Sequence, residues 1–211
     1  MSIATHTPPA RTPPAAPAPI ALRVPADVRL KVDPEGFAAL CAANRDLRLE
    51  RKSDGGLIAM VPVSSDGGER NAELIMQLAA WNKATGRGRV YDSSAGFTLP
   101  DGAILSPDAS WIRGGRWEAL SPEERRGFAR IVPDFVAELR SSSDALKDVR
   151  AKMVEYLSHG VRLGWLIDPF TQTVEVYRPS REAETLAAPA SLSGEDVLPG
   201  LVLDLKGILF D

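Results

Sequence analysis

Pro133-Asp134-Phe135-Val136-Ala137-Glu138-Leu139-Arg140 is the stretch on which the fold turns. Residues 135–139 are short and apolar apart from Glu138, as a buried strand is. A helical pattern follows over Asp144 to Ser158, with Leu146, Val149, Met153, Tyr156 and Leu157 on one face and Gly160 past its end. Ser143-Asp144 reads as its N-terminal cap. Leu163 to Ile167 is a second, wholly apolar strand. Strand, helix, strand over 135–167 is a crossover unit, which implies parallel pairing and a sheet covered on both faces. The expectation is an α/β domain with a central mixed sheet flanked by helices.

Outward from this unit, Val32 to Cys41 reads as a short helix, with Phe37, Leu40 and Cys41 on one face. Asp46 to Glu50 and Leu57 to Val63 read as a hairpin through Ser53-Asp54-Gly55-Gly56, and Ser64 to Gly68 as a loop. Asn71 to Thr85 repeats Leu74, Ile75, Leu78 and Trp81 at helical period. Arg89 to Asp92, Gly96 to Leu99 and Ile104 to Ser106 are short strands, and Ala109 to Ile112 continues the last of them beyond Pro107. Ser121-Pro122-Glu123-Glu124 resembles a helix start. Asp168-Pro169 begins a turn before a strand over Thr173 to Tyr177. Residues 1–25, rich in Pro, Ala and Thr, carry too few large apolar side chains to order themselves, which leaves one folded domain over 26–211.

Bulk composition narrows the class. The chain is 44% hydrophobic and 25% charged, ordinary for a soluble globular protein. Its one cysteine, Cys41, excludes an internal disulfide and favours a reducing compartment, the cytoplasm. The sequence leads us to expect neither a membrane-spanning run nor a secretory leader. The net charge of −3 is distributed unevenly. Residues 111–152 hold nine Lys/Arg against seven Asp/Glu, and residues 182–211 hold one against six. A polyanion would therefore approach the middle of the chain.

The candidate chemistry lies in two carboxylates and a cation. In a strand, residues two apart share a face, so Asp134, Val136, Glu138 and Arg140 point one way. Asp134 and Glu138 stand about 13 Å apart at roughly 3.3 Å per residue, too far to share one ion. Glu138 therefore needs a partner from a neighbouring strand, and Asp108 in Ser106-Pro107-Asp108 is the candidate. One or two carboxylates, with water and phosphate oxygens, suffice for Mg²⁺. Lys152, beside the apolar stripe of its helix, and Arg140 are the nearby cations. Neither His6 nor His159 has a visible companion for a metal or triad site, and no phosphate-cradling glycine loop or zinc spacing occurs.

A Pro-Asp followed by an acidic strand and a lysine resembles the PD-(D/E)xK nuclease superfamily. Gly96 to Gly102, Ser106 to Trp111, Pro133 to Ser141, Lys152-Met153 with Glu155-Tyr156, and Gly160 to Pro169 together resemble the Uma-two family of restriction-endonuclease-like proteins. The order and spacing of these segments carry the resemblance, over roughly residues 30–210. It implies Asp108, Glu138 and Lys152 as the site, the lysine having moved from the strand to the following helix. Arg140 stands in the slot where the wider superfamily has lysine, and its expected role is phosphate binding. An acid from the first long helix completes many such sites, which adds Glu73, and Asp134 is a further candidate.

The implied activity is hydrolysis of DNA phosphodiesters with Mg²⁺ or Mn²⁺, by a restriction-endonuclease-like domain. RNA is not separable as substrate by sequence. The rival is a nuclease-fold module that binds nucleic acid or protein without cutting. Such domains often act as homodimers, but no stretch here specifies that interface.

Overall fold

The computed structural model describes residues 30–210, so the expected tail over 1–25 lies outside the described residues. The elements run α1 (Pro34–Ala43), β1 (Arg48–Arg51), β2 (Leu57–Met60), α2 (Ser65–Thr85), β3 (Gly88–Asp92), β4 (Phe97–Thr98), β5 (Ile104–Leu105), β6 (Ala109–Arg113) and α3 (Gly114–Glu118). They continue β7 (Phe135–Leu139), α4 (Leu146–Ser158), β8 (Leu163–Asp168), β9 (Thr173–Tyr177), β10 (Glu184–Ala187), β11 (Ser191–Ser193) and β12 (Val202–Asp204).

The main sheet has the order β10-β9-β8-β7-β6-β3. The pair β7–β8 is parallel and every other neighbour is antiparallel, so the sheet is mixed. The parallel pair is the crossover through α4, and its register sets Phe135 against Leu163 and Glu138 against Leu166. A second sheet, β2-β1-β5-β4, lies alongside, and β11-β12 form a small ribbon.

Side-chain alternation on β7 divides the core. Phe135, Ala137 and Leu139 face one layer, with Leu74 and Leu78 of α2 and a C-terminal run that includes Leu192, Leu198, Leu203 and Ile208. Val136 faces the other, with Met153 and Tyr156 of α4 and Leu166 of β8. Gly164 lets α4 sit this close, since a Cβ there would lie 2.5 Å from Met153 Cε. Glu138 shares the Val136 face and so points under α4.

Four expectations change. Helix α2 starts six residues earlier than its apolar period shows, because Ser64 Oγ accepts the Gly67 N–H and caps it. Helix α4 starts at Leu146, and Asp144 instead accepts the Ser141 N–H, bracing the strand-to-helix loop. Strand β6 does not continue β5: across Ser106-Pro107-Asp108 the chain passes from the small sheet to the main one. The Ser121–Glu124 cap does form, Ser121 N–H to Glu124 Oε2 and Glu124 N–H to Ser121 Oγ. No helix grows from it, because the chain turns out at Gly127 with φ +73°.

Candidate active site

The crossing of the two sheets builds the site. Asp108 lies in the link between β5 and β6, next to β7. One of its oxygens, Oδ2, accepts the Leu139 N–H at 2.9 Å. Glu138, one residue back on β7, is 7% exposed. Its Oε1 accepts from the Tyr156 hydroxyl at 3.1 Å and lies 2.9 Å from Lys152 Nζ. Lys152 and Tyr156 are four apart on α4, hence on one helix face, and both reach the same carboxyl.

A third acid completes the group. Glu50 of β1 is 3% exposed, and its Oε1 lies 3.0 Å from Lys152 Nζ and accepts the Ser106 N–H at 2.8 Å. Lys152 Nζ also approaches the Ser106 carbonyl at 3.4 Å. Two carboxyl groups thus contact one ammonium and a third, that of Asp108, lies near it, an excess of acids over cations in a largely buried place.

The electrostatics follow from that excess. Burial pushes the Glu138 carboxyl up to about 8; Lys152 opposes the shift, and Asp108 and Glu50 add to it. Burial also raises Asp108, against the Leu139 N–H and the charges of Lys152 and Arg48. For Lys152, burial works downward, but Glu138, Glu50 and Asp108 outweigh it and hold the ammonium above its ordinary value. Tyr156, buried against two acids, is pushed well above the usual phenol.

Asp108 opens onto a cavity of about 160 Å³, whose walls include Arg48, Asn71, Arg140, Ser141 and Phe170. Arg48 is anchored to the Ser93 carbonyl at 2.6 Å. Arg140 donates to Asp168 Oδ2 at 2.8 Å. In turn Asp168 Oδ1 accepts the Phe170 N–H at 3.0 Å.

The structure therefore brings Asp108, Glu138 and Lys152 together, with Arg140 on the adjoining cavity wall. It sets Asp134 and Glu73 elsewhere. Asp134 Oδ2 accepts the Arg113 N–H at 2.9 Å and pairs with Arg116, tying β6 and α3 to the start of β7. Glu73 accepts from Gln77, which in turn holds the Asp204 backbone against α2.

Sequence reading misses Glu50, Tyr156 and Arg48 as site residues. Tyr156 carried a signal, its four-residue spacing from Lys152. Glu50 carried none, since Arg48-Leu49-Glu50-Arg51 alternates like any exposed edge and its facing partner comes from α4. A further correction concerns His159, whose Nε2 lies 2.9 Å from Asp101 Oδ2. With Glu155 they form a group whose potential ligand atoms lie within 4.8 Å of one another.

Donor chemistry suits a divalent ion. Oxygen-only carboxylate ligands select hard cations such as Mg²⁺ or Mn²⁺. Two or three acids against one ammonium leave a negative charge that a divalent cation offsets.

Comparison with known proteins bears on the fold and the family. A crystal structure of a "putative nuclease belonging to DUF820" from Anabaena variabilis ATCC 29413 matches at 26% identity and TM-score 0.65, over 76% of this chain and 89% of that one. A cryo-EM structure of a DrdV–DNA complex matches 57% of this chain and 10% of its own at 16% identity, and its TM-score of 0.36 is too low to carry an argument. No curated protein matches the chain. The fold is that of the restriction-endonuclease-like nucleases. Residues 34–206 match the profile of the Uma2 family, described as "Putative restriction endonuclease", and the chain belongs to that family.

Proposed function

We propose that this chain is a metal-dependent nuclease that hydrolyses DNA phosphodiester bonds, with residues 26–211 as its one catalytic domain. The observation that carries the reading is that Glu138 and Glu50 both contact Lys152 with Asp108 close by, beside a cavity whose wall includes Arg48, Arg70 and Arg140. Asp108 and Glu138 would hold a Mg²⁺ or Mn²⁺ ion, with Glu50 behind them. Such an ion, when bound, acidifies water and offsets charge developing on a phosphate.

The chain's own groups do the rest. Lys152, held above its ordinary value, stays protonated at neutral pH. It therefore acts as a charge and a hydrogen-bond donor toward water or phosphate, rather than as a base. Tyr156 fixes the Glu138 carboxyl by donating to Oε1. On the cavity wall, Arg48 and Arg140 place positive charge where a phosphate backbone would lie. Arg140 also holds Asp168, so a phosphate role there is shared with a structural one. The single cysteine supports a cytoplasmic setting, and a second copy as partner rests on the family resemblance.

One observation favours the non-cutting rival. Lys152 already bridges Glu50 and Glu138, so the pair of acids is satisfied without an ion. Calorimetry with Mn²⁺ and cleavage of single- and double-stranded DNA decide between the two. The wild type is expected to bind Mn²⁺ and cut, and Asp108→Asn with Glu138→Gln to do neither while remaining folded. Equal Mn²⁺ binding by both proteins removes the proposed site. Binding of DNA without cleavage, across metals and substrates, installs the rival.

A further inference from the structure

The cavity beside Asp108 carries more than charge. Phe170, 58% exposed, is the one aromatic residue among the large exposed hydrophobics of the described residues. It does not sit on a loose loop. Asp168 accepts its backbone N–H and binds Arg140, whose guanidinium carbon lies over the Phe170 ring at 5.5 Å from its centroid. An exposed ring, backed by a cation and held by a buried carboxylate, is a rigid flat surface.

Two residues of the same cavity wall each hold a buried polar atom that has no partner among the described residues. These atoms are Arg48 Nε, a donor, and Asn71 Oδ1, an acceptor. Buried polar atoms in native proteins are nearly always bonded, so this pair points to a ligand edge that offers both an acceptor and a donor. The cavity measures about 160 Å³. A void of roughly 150 Å³ accommodates a benzene ring, so the space matches a single ring.

We propose that this cavity receives one unstacked pyrimidine base of a nucleic-acid strand, laid on Phe170 and read by Arg48 and Asn71, beside the phosphate held near Asp108. The inference rests on the nuclease reading of the same site. It makes the preferred substrate a single strand, or a duplex opened locally, with a pyrimidine next to the cut. An aromatic face accepts any base, and every base offers a donor beside an acceptor, so the selection comes from the cavity's size.

Fluorescence anisotropy with Ca²⁺ present tests it, using oligothymidylate, oligoadenylate and a blunt duplex. Wild type is expected to bind oligothymidylate most tightly. Phe170→Leu should weaken that binding about tenfold or more, as loss of one stacked base does, with an unchanged melting temperature because the residue is exposed. Phe170→Tyr should restore it, and Asn71→Ala should weaken binding of oligothymidylate. If the wild type binds all three probes and Phe170→Leu binds them as tightly, the nuclease reading stands and the base site is overturned. If the wild type binds none of them, both fall together.

Discussion

Glu138 is a carboxyl that the fold makes costly to ionise. Its unfolded value is near 4.5 and burial lifts it to about 8. A raised carboxyl favours the protonated native state, so stability is lost as pH rises through that window, from near 4.5 toward 8. Lys152 does not offset this trend, since its raised value keeps it charged throughout. The metal-free protein should therefore melt at a lower temperature near pH 8 than near pH 5, and Glu138→Gln should flatten that slope. Mn²⁺ must displace the Glu138 proton, so its affinity should rise over the same interval, with proton release that calorimetry in buffers of different ionisation enthalpy reads directly. A flat affinity across the interval would remove Glu138 from the ligand set. Glu138 was legible in the sequence because a lone acid on an apolar strand is conspicuous. Glu50 was not, because its burial comes from Lys152, about a hundred residues away in the chain.

At the scale of elements, the turn between β8 and β9 is a brace. The Asp168 side chain is 2% exposed and receives Arg140 together with the Phe170 N–H. Burial raises its carboxyl, but the Arg140 bond and those of the turn outweigh it and hold the group below the ordinary range. That stability is present above the unfolded value and is lost as pH falls through the lowered one. Asp168→Ala should cost about 1.5–3 kcal/mol at neutral pH, the worth of hydrogen bonds to a charged group, and chemical denaturation measures it. The periodic elements were readable: the 135–167 crossover and the apolar half of α2 both follow from side-chain repeats. The ends of elements were not. Ser121 and Glu124 form a sound cap, yet a single capped turn followed by Gly127 has no apolar stripe to extend it, and nucleation alone does not sustain a helix.

The whole molecule depends on a segment that gave little signal. Residues 192–209, in short pieces around β11 and β12, contribute Leu192, Val197, Leu198, Leu201, Leu203, Leu205, Ile208 and Leu209 to the core under the main sheet. Helix α2 fastens them through Gln77 to the Asp204 backbone and Arg70 to the Ile208 carbonyl. Glu73 belongs to this closure and so lies away from the site, whereas Asp66, in the first turn of the same helix, lines the cavity beside Asp108. Pieces this short have no period to detect, and their role shows only against the sheet they cover. Leu198→Ala should destabilise the protein by about 2–5 kcal/mol, the range for a fully buried leucine, as read by urea titration. Charge also acts at this scale. If Arg48 meets phosphate, Arg48→Ala should weaken DNA binding and reduce the slope of log affinity against log salt by about 1. An unchanged slope would place the backbone elsewhere.

The surroundings of Lys152 have a consequence for timing. An ammonium has three N–H donors, and this one has three acceptors: Glu50, Glu138 and the Ser106 carbonyl. The resting group is saturated, so it reaches a substrate only by letting one acceptor go. The Ser106 carbonyl, at 3.4 Å, is the loosest of the three. It belongs to the same short link as Asp108, two residues on. Engagement of a substrate by Lys152 is thereby coupled to the link that carries the cavity-facing acid, and the resting clasp competes with substrate until that link yields.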